Sequence, residues 1–462
     1  MEYVDFLRRK NVMAQPRGFD IRLDHLPPKL FDWQRDVTSW AIRRGRAGLF
    51  EDCGLGKTAQ QVTWADATAQ YTDSPVLILA PLAVARQTQR EGQKFGVSIN
   101  VAETAADIQK GVNVTNYEKL DKFDTSNFGG VVLDESSILK AYTGKTKREI
   151  VARFKDTPYK LSCSATPAPN DLMELLNQAE FLGIMQSSEA LSCWFIADQS
   201  NSGHYRLKGH AERDFWNWVA SWAICIERPS DIGYSDVGYE LPPLAEADVI
   251  LPSREVKDIF SAVRERPDMS ATGFRAEKRK TLKERAAMCA QLARQESEQC
   301  VIWCYQNDEA DELKRLLPEA VEIRGSDKAE SKERAALDFI DGKYKILISK
   351  PSIFGYGLNF QQCRRAIFCG LDYSYEGYYQ AVRRFYRFGQ EREVKITRVI
   401  GENEKAILDT INRKAEQKQQ MARSMAEAMK EYQTAAVHGR SFKLDLAPQC
   451  AEMPDWLRSE IA

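Results

Sequence analysis

Apolar residues in this chain occur in two alternating patterns, which are short continuous runs and longer stretches with apolar positions every three or four residues. The continuous runs are residues 47–50, 75–81, 131–133, 300–304, 345–349 and 366–369. Such runs are typical of strands buried on both faces of a parallel sheet. Helical spacing lies between them, as at residues 29–46 and 328–340. The alternation predicts an α/β fold with two parallel-sheet units in tandem.

Proline and glycine clusters divide the chain into the domains expected of 462 residues, a length too great for one core. Leu26-Pro27-Pro28 ends an N-terminal arm. We predict the remaining divisions as a first lobe at 29–230 with a helical subdomain at about 171–230, a second lobe at 238–401, and a C-terminal helix and tail at 402–462.

The stretch EDCGLGKT follows the first apolar run and precedes a helical pattern. Gly54 and Gly56 allow the backbone to turn tightly, and the helix that begins near Lys57 directs its free N–H groups at one point. Lys57 is predicted to reach the β- and γ-phosphates of a nucleoside triphosphate, and the Thr58 hydroxyl to hold Mg²⁺. The alternative is a chance glycine turn before a surface helix.

The strand at 131–133 ends in Asp134 and Glu135. Ligands of parallel α/β sheets bind beyond the carboxyl ends of the strands. Asp134 is therefore predicted to hold hydrated Mg²⁺, and Glu135 to orient and deprotonate the attacking water. The alternative is an acidic turn.

Two further segments carry candidate chemistry. The strand that begins near residue 159 runs into Ser164-Ala165-Thr166, whose hydroxyls can bond both the acids and a moving neighbour; the alternative is a plain turn. Residues 380–390 are predicted to form a helix with Arg384 and Arg387 on one face. Since the second lobe has no glycine loop of this kind, these arginines are predicted to reach a γ-phosphate across a cleft, an arrangement worth about 10³–10⁵ in rate. The alternative is a basic surface helix.

Composition narrows the possible partners. The formal net charge is −1, so a nucleic-acid partner would need a local basic track. A basic helix at 275–285 is predicted to be a solvated face, with phosphate contact as the alternative. An aromatic-rich segment is predicted to be a packed core, with a base-stacking surface as the alternative; its rings are Trp194, Phe195, Phe215, Trp216, Trp218 and Trp222.

Ten cysteines occur without a CxxC pair. We expect buried free thiols, as at Cys300 and Cys304, no structural zinc, and a reducing intracellular compartment because no signal peptide is evident. No apolar run approaches the ~20 residues of a membrane span, so no membrane partner is expected.

Taken in this order, the motifs resemble those of the superfamily-2 helicase-like ATPases, and within them the SNF2-type double-stranded DNA translocases. The resemblance extends from about residue 30 to 418 and implies two RecA-like lobes, a helical insertion and a C-terminal bracing helix. LFDWQRDVTSWA resembles the Q motif, EDCGLGKT motif I, LILAPLAV motif Ia, VTNYEKL motif Ib, VVLDESSILK motif II, LSCSATPAP motif III, CVIWCYQNDEADEL motif IV, ISKPSIFGYGLNF motif V and QAVRRFYRFGQ motif VI.

The resemblance assigns further residues. It implies that Gln34 reads adenine and that the nucleotide also contacts Leu55, Gly357 and Asn359. It implies that the two lobes are coupled through Ser137, Ser164, Ala165, Thr166 and Gln380. Ser137 departs from the family, which usually has histidine there, so we expect this coupling to be weaker or differently routed.

The function that the resemblance implies is an ATP- and Mg²⁺-dependent motor on nucleic acid, with DNA-stimulated hydrolysis and movement on double-stranded DNA. The alternatives are a strand-separating DNA or RNA helicase, a non-hydrolysing ATP-gated clamp or scaffold, and the motor subunit of a larger restriction or defence complex. The compact chain resembles stand-alone enzymes of bacteria and phages, so we expect it in the cytoplasm of a bacterial or phage-infected cell.

Overall fold

The computed structural model describes residues 13–81, 84–141, 144–168, 171–197, 205–252, 278–354 and 360–439. They form two lobes, each built on a parallel sheet, and a long C-terminal helix, as predicted. The strands of the first lobe are β1 (Arg46–Glu51), β2 (Val76–Ala80), β3 (Ile99–Val101), β4 (Val112–Asn116), β5 (Gly130–Asp134), β6 (Tyr159–Cys163), β7 (Phe195–Ala197), β8 (Tyr205–Leu207) and β9 (Ala223–Ile226).

Seven of these strands form one parallel sheet in the order β3-β4-β2-β5-β6-β1-β9, while β7 and β8 pair as an antiparallel hairpin. The helices of the lobe are α1 (Asp32–Arg44), α2 (Lys57–Thr72), α3 (Ala85–Lys94), α4 (Lys145–Arg153), α5 (Glu174–Leu182), α6 (Ser187–Trp194) and α7 (Glu212–Ala220).

The second lobe has the parallel order β10-β15-β14-β11-β13-β12. Its strands are β10 (Leu244–Leu251), β11 (Cys300–Cys304), β12 (Val321–Glu322), β13 (Ile346–Ser349), β14 (Arg365–Cys369) and β15 (Val394–Gly401). Its helices are α8 (Leu282–Gln295), α9 (Asn307–Leu316), α10 (Ala329–Ile340), α11 (Pro351–Phe354) and α12 (Tyr375–Val382), and the chain then continues into α13 (Lys405–Val437).

The continuous apolar runs are explained by burial on both faces of each sheet. In β2, Leu77 and Leu79 belong to one apolar cluster, whereas Val76 and Ile78 belong to another on the opposite face. The residues of β11 alternate in the same way between the two clusters of the second lobe. No solvated face remains on these strands, so the sequence shows no polar alternation.

The segment that follows β6 is helical only in part. It contains the β7–β8 hairpin and also β9, which pairs in parallel with the outer side of β1. The strand was missed because Ala223–Ile226 is short and follows aromatic helical residues directly. The six aromatic rings singled out in this segment are buried in the core of the first lobe, which confirms packing and removes the base-stacking alternative.

The long helix α13 joins the lobes. Ile407 and Ile411 in its first turns are buried in the core of the second lobe, whereas Met425 and Met429 lie in the core of the first. Gln433 then donates to the backbone oxygen of Cys225 (3.2 Å) and accepts from its N–H (3.1 Å). It thus provides hydrogen-bond partners for backbone groups of the edge strand β9. The methionines thus serve for packing, and the helix braces the two lobes.

The basic stretch at 275–285, which continues into α8, is not the solvated face that was predicted. Within its described part, Arg285 and Lys278 are 0% and 1% exposed. Arg285 contacts Glu309 (2.7 Å) and Glu404 (3.3 Å), and Lys278 lies 3.6–3.8 Å from the same two carboxylates. A buried cluster of two cations and two anions therefore joins α8, α9 and the start of α13, because each charge in the interior needs a partner.

We expect Arg285→Met to destabilise the second lobe by about 3–5 kcal/mol, because two buried carboxylates would then face one cation. Hydrogen exchange of β11 and β14 would measure this without contributions from the first lobe. The matched control is Arg279→Met, since the Arg279 side chain is 68% exposed in its ion pair with Asp308. Unchanged protection in Arg285→Met would show that the cluster contributes nothing to stability.

Candidate nucleotide site and inter-lobe cleft

The glycine loop connects β1 to α2 at the carboxyl edge of the first sheet. Gly54 and Gly56 have φ of +94° and +83°, a left-handed conformation that favours glycine. An added Cβ on Gly56 would lie 2.4 Å from Gln34 Nε2, so the loop rests directly on α1. Lys57 Nζ donates to the backbone oxygens of Glu51 (2.6 Å) and Asp52 (3.1 Å). The ammonium is thus held against the backbone of the loop that leads into α2.

Gln34 lies beneath this loop and lines the cleft. Its Nε2 donates to the backbone oxygen of Leu55 (2.8 Å), and its Oε1 accepts from the N–H of Phe31 (3.1 Å). Both side-chain functions therefore have protein partners, and Gln34 fixes the loop to α1. Its adenine role stays a prediction.

Asp134 is the last residue of β5, and Glu135 follows it at the same edge of the sheet. Asp134 Oδ1 accepts from Gln61 Nε2 (2.9 Å), and its backbone oxygen accepts from the Tyr117 hydroxyl (2.8 Å). Glu135 has a φ of +54°, which is uncommon for a residue with a side chain and is found where function holds the backbone under strain. Among the described residues, Glu135 Oε2 is buried without a hydrogen-bond partner.

The electrostatic environment of these acids comes from both lobes. Burial raises the pKa of Glu135 to about 7, Asp134 and Glu376 add to the increase, and Lys57 and Arg384 oppose it. Burial also raises the pKa of Asp134, against Lys57 and Arg384 among others. A buried carboxylate oxygen without a partner, beside two cations, can accept a proton from a water in the cleft.

The predicted helix over 380–390 is wrong beyond Val382, where α12 ends. Arg384 and Arg387 instead lie on the irregular turn that follows. The backbone oxygen of Arg384 accepts from the N–H of Phe360 (3.1 Å), and Gln390 Nε2 donates to the backbone oxygen of Phe385 (3.3 Å). These contacts replace the hydrogen bonds that would continue a helix.

This turn of the second lobe lies against the glycine loop of the first. A Cβ added to Gly54 would lie 2.8 Å from the backbone nitrogen of Phe388 and 3.5 Å from the Cβ of Arg387. Burial, reinforced by Arg387, lowers the pKa of Arg384 to about 10, while Glu135 and Asp134 act in the opposite direction. The structure therefore brings the predicted acids and glycine loop of the first lobe together with the predicted arginines of the second lobe.

An ion pair that the sequence did not reveal connects the lobes at the same place. The Asp52 carboxylate, inside the glycine loop, accepts from Arg383 and from the Tyr379 hydroxyl. Lys418 of α13 lies 3.0 Å from the centre of the Tyr379 ring. Burial opposes the charge of Asp52, but Arg383 and Lys418 hold its pKa below the usual value. Two features of the sequence could have indicated this ion pair, namely Asp52 within EDCGLGKT and Arg383 next to Arg384.

The residues predicted to couple the lobes are in different situations. Ser137 Oγ donates to Glu376 Oε1 of the second lobe (2.9 Å). Ser164 Oγ accepts locally from the N–H of Thr166 (3.0 Å), next to Ala165. Gln380 is buried, and its Oε1 lies 3.5 Å from Arg384 Nη2. The coupling roles of Ser164, Ala165, Thr166 and Gln380 stay predictions, and Gly357 and Asn359 lie outside the described residues.

A cleft of about 1660 Å³ runs between the lobes, and Thr58, Glu135 and Arg387 line it. Away from the glycine loop its walls carry basic side chains of both lobes, namely Arg86, Arg90, Lys94, Lys119, Lys332 and Arg392. Acidic side chains line the same cleft, namely Glu91, Glu103, Glu118 and Glu391, and Lys94 and Lys119 pair with the first two of them, so the walls carry mixed charge in which basic side chains are the more numerous.

The remaining candidate chemistry concerns the thiols, metal ligands and apolar helices of the same described ranges. Apart from Cys450, which lies beyond them, all the cysteines are free thiols, and Cys300 and Cys304 are buried as predicted. No group of three or more His, Cys, Asp or Glu side chains in these ranges is arranged to hold a metal ion. None of the helices in the described part of the chain has the length and apolar character needed to cross a bilayer.

Two family models match the chain, the SNF2-related domain at residues 33–206 and the helicase conserved C-terminal domain at residues 283–389. The chain is 32% identical over 176 residues to the SWI/SNF-related matrix-associated actin-dependent regulator of chromatin subfamily A-like protein 1 of Xenopus laevis, covering 34% of this chain and 18% of that protein. It is 24% identical over 429 residues to the putative ATP-dependent helicase/translocase YwqA of Bacillus subtilis, covering 80% of this chain and 46% of that protein.

The solved SWI2/SNF2 ATPase core of Sulfolobus solfataricus in complex with dsDNA is 18% identical, with a TM-score of 0.42 over 93% of this chain and 100% of that chain. The chain spans less than half the length of the two curated relatives named above.

We expect Gly54→Ala to reduce nucleotide turnover on the order of tenfold or more, because the methyl group would meet the backbone of Phe388 and prevent the turn from approaching the loop. Steady-state phosphate release would measure the loss. The matched control is Gly96→Ala, because Gly96 has a similar φ of +78° but no heavy atom of the described chain within 4 Å of the added Cβ. Equal losses in both variants would attribute the effect to backbone strain alone.

Proposed function

The chain belongs to the SNF2-type helicase-like ATPases, and on this basis we propose that it is an ATP-hydrolysing motor that acts on nucleic acid. The observation that carries the proposal is the meeting of Glu135 and Lys57 from the first lobe with Arg384 from the second. These are the charges needed to bind a triphosphate, accept a proton from water and neutralise the transferred phosphoryl group.

Each group has a distinct part in this proposal. The loop N–H groups and Lys57 bind the phosphates, and Lys57 exchanges its backbone oxygens for phosphate oxygens. Thr58 and Asp134 supply hard oxygen ligands that suit Mg²⁺, which when bound neutralises charge on the phosphates. Glu135 orients a water and accepts its proton through the unpaired Oε2. Arg384 and Arg387 stabilise charge on the γ-phosphoryl oxygens.

The division of the site between lobes makes closure part of the reaction. Neither lobe holds both the acids and the arginines, so hydrolysis requires that the turn after α12 approach the glycine loop. A nucleic acid that contacts the basic side chains on both walls of the cleft would favour this approach. We therefore propose that nucleic acid stimulates the ATPase, and that double-stranded DNA is the natural track, as the SNF2-type motifs imply.

We expect Lys57→Ala and Glu135→Gln to abolish hydrolysis, since one removes a phosphate ligand and the other the proton acceptor. Arg387→Ala should lower turnover on the order of 10³-fold with ATP binding retained, because a finger acts mainly in the transition state. Phosphate release and equilibrium binding of a fluorescent ATP analogue would measure these effects. Arg294→Ala, which removes a guanidinium that is 53% exposed on the second lobe, serves as the control.

Two results would contradict these assignments. Wild-type turnover in Lys57→Ala or Glu135→Gln would place the chemistry elsewhere, and loss of ATP binding in Arg387→Ala would remove its role as a finger. Wild-type protein that binds ATP without any phosphate release would identify the ATP-gated clamp instead.

We expect duplex DNA to raise the ATPase rate more than single-stranded DNA or RNA, with little strand displacement. The DNA affinity should fall steeply as salt increases, because contacts with phosphates release counterions. Side-by-side ATPase titrations with the three polymers, repeated at several salt concentrations, would measure both effects. Stimulation by single strands together with duplex unwinding would favour the strand-separating helicase, and an affinity independent of salt would argue against a motor that tracks the backbone.

A further inference from the structure

A second contact joins the lobes on the acid side of the nucleotide site. Ser137, two residues after Glu135, donates its hydroxyl hydrogen to Glu376 Oε1 (2.9 Å). Lys140 Nζ contacts the other oxygen of the same carboxylate, Oε2, at 2.5 Å. One carboxylate of the second lobe is thus held through both of its oxygens by the short turn that follows the acid pair.

The position of Glu376 gives this contact its importance. Glu376 is in the first turn of α12, and the same helix carries Gln380 and leads directly into the turn with Arg384. Gln380 lies one helical turn after Glu376, and its Oε1 lies 3.5 Å from Arg384 Nη2. A single short helix therefore connects the segment behind Glu135 to the arginine that faces it.

The burial of the contact distinguishes it from an ordinary surface ion pair. The Glu376 side chain is 12% exposed and Ser137 is 5% exposed, so the hydrogen bond is largely screened from water. Hydrogen bonds to a charged group are stronger than neutral ones, and they are stronger still at low local dielectric. The charge of Glu376 also raises the pKa of Glu135, and like charges repel unless other groups compensate them. Ser137 and Lys140 provide that compensation only when the lobes are together.

We propose that Glu376 is a positioning residue, which through Ser137 and Lys140 sets the closed arrangement of Glu135 and Arg384 for hydrolysis. Ser137 stands where the family usually has histidine, and Glu376 is the partner through which this chain connects the acid motif to the second lobe. The inference rests on the proposed ATPase, because positioning matters only if the two residues act on one triphosphate.

The test compares Ser137→Ala, Glu376→Ala and the double variant in ATPase assays at saturating DNA. We expect Glu376→Ala to lower kcat about tenfold and Ser137→Ala severalfold, with KM for ATP within about twofold of wild type. The double variant should be no slower than Glu376→Ala, because the hydroxyl has then already lost its partner. Ser137→Thr, which keeps the hydroxyl, should retain the wild-type rate.

Glu319→Ala is the matched control, since Glu319 forms an exposed ion pair with Arg294 on the same lobe. Losses that multiply in the double variant, or a raised KM with unchanged kcat, would overturn the proposal. Wild-type rates in both single variants would overturn it as well. If Glu376→Ala does not fold, Ser137→Ala and Ser137→Thr test the same contact from the first lobe.

A second measurement separates this inference from the proposed function. Small-angle X-ray scattering of the nucleotide-free protein should give a larger radius of gyration for Ser137→Ala and Glu376→Ala than for wild type and Glu319→Ala. This readout needs no hydrolysis. An inactive wild-type protein would therefore refute the ATPase alone, whereas unchanged radii would refute the role of Glu376 whatever the ATPase result.

Discussion

The contact between Asp52 and Arg383 is the interaction on which the geometry of the site depends. Asp52 is part of the glycine loop, and its backbone oxygen accepts a hydrogen bond from Lys57 Nζ. Arg383 immediately precedes Arg384, so the ion pair joins the phosphate-binding loop to the arginine turn across the cleft. Gly54 approaches Phe388 at the same place, where an added Cβ would lie 2.8 Å from the backbone nitrogen of Phe388. A shift of either partner would move the acids and the arginines relative to one another.

The bracing helix extends this constraint through the molecule. α13 begins in the core of the second lobe, passes the nucleotide site at Lys418, and ends in the core of the first. Its Gln433 closes the edge of β9, which pairs with the outer side of β1, the strand that ends at the glycine loop. The helix therefore links the position of the second lobe to the strand that carries the glycine loop.

The two sheets, the nucleotide loop, the acid pair and the bracing helix could be predicted from the sequence, because each depends on local chemistry. A continuous apolar run is sufficient to predict a strand buried on both faces, and a strand followed by a glycine loop is sufficient to predict a phosphate site. Arg387 lies beside the glycine loop, although the predicted helix over 380–390 is wrong, because hydrogen bonds from Phe360 and from Gln390 bend the chain after Val382. Local spacing contains no information about partners so distant in sequence.

The pairs Asp52–Arg383 and Ser137–Glu376 were missed for the same reason, and together they explain how the cleft closes. The first lobe contributes mainly acids to the site, namely Glu51, Asp52, Asp134 and Glu135, against Lys57. The second lobe and α13 contribute mainly cations, namely Arg383, Arg384, Arg387 and Lys418. Opposite charge draws the lobes together even without a ligand, and burial makes the attraction less sensitive to salt than surface pairs are. A triphosphate adds negative charge between them and gives the arginines a new partner. In the proposed mechanism, a bound triphosphate therefore competes with the protein carboxylates for the cations of the second lobe. As proposed, Glu376 of the second lobe holds the start of α12 against Ser137 and Lys140 of the first lobe during that change.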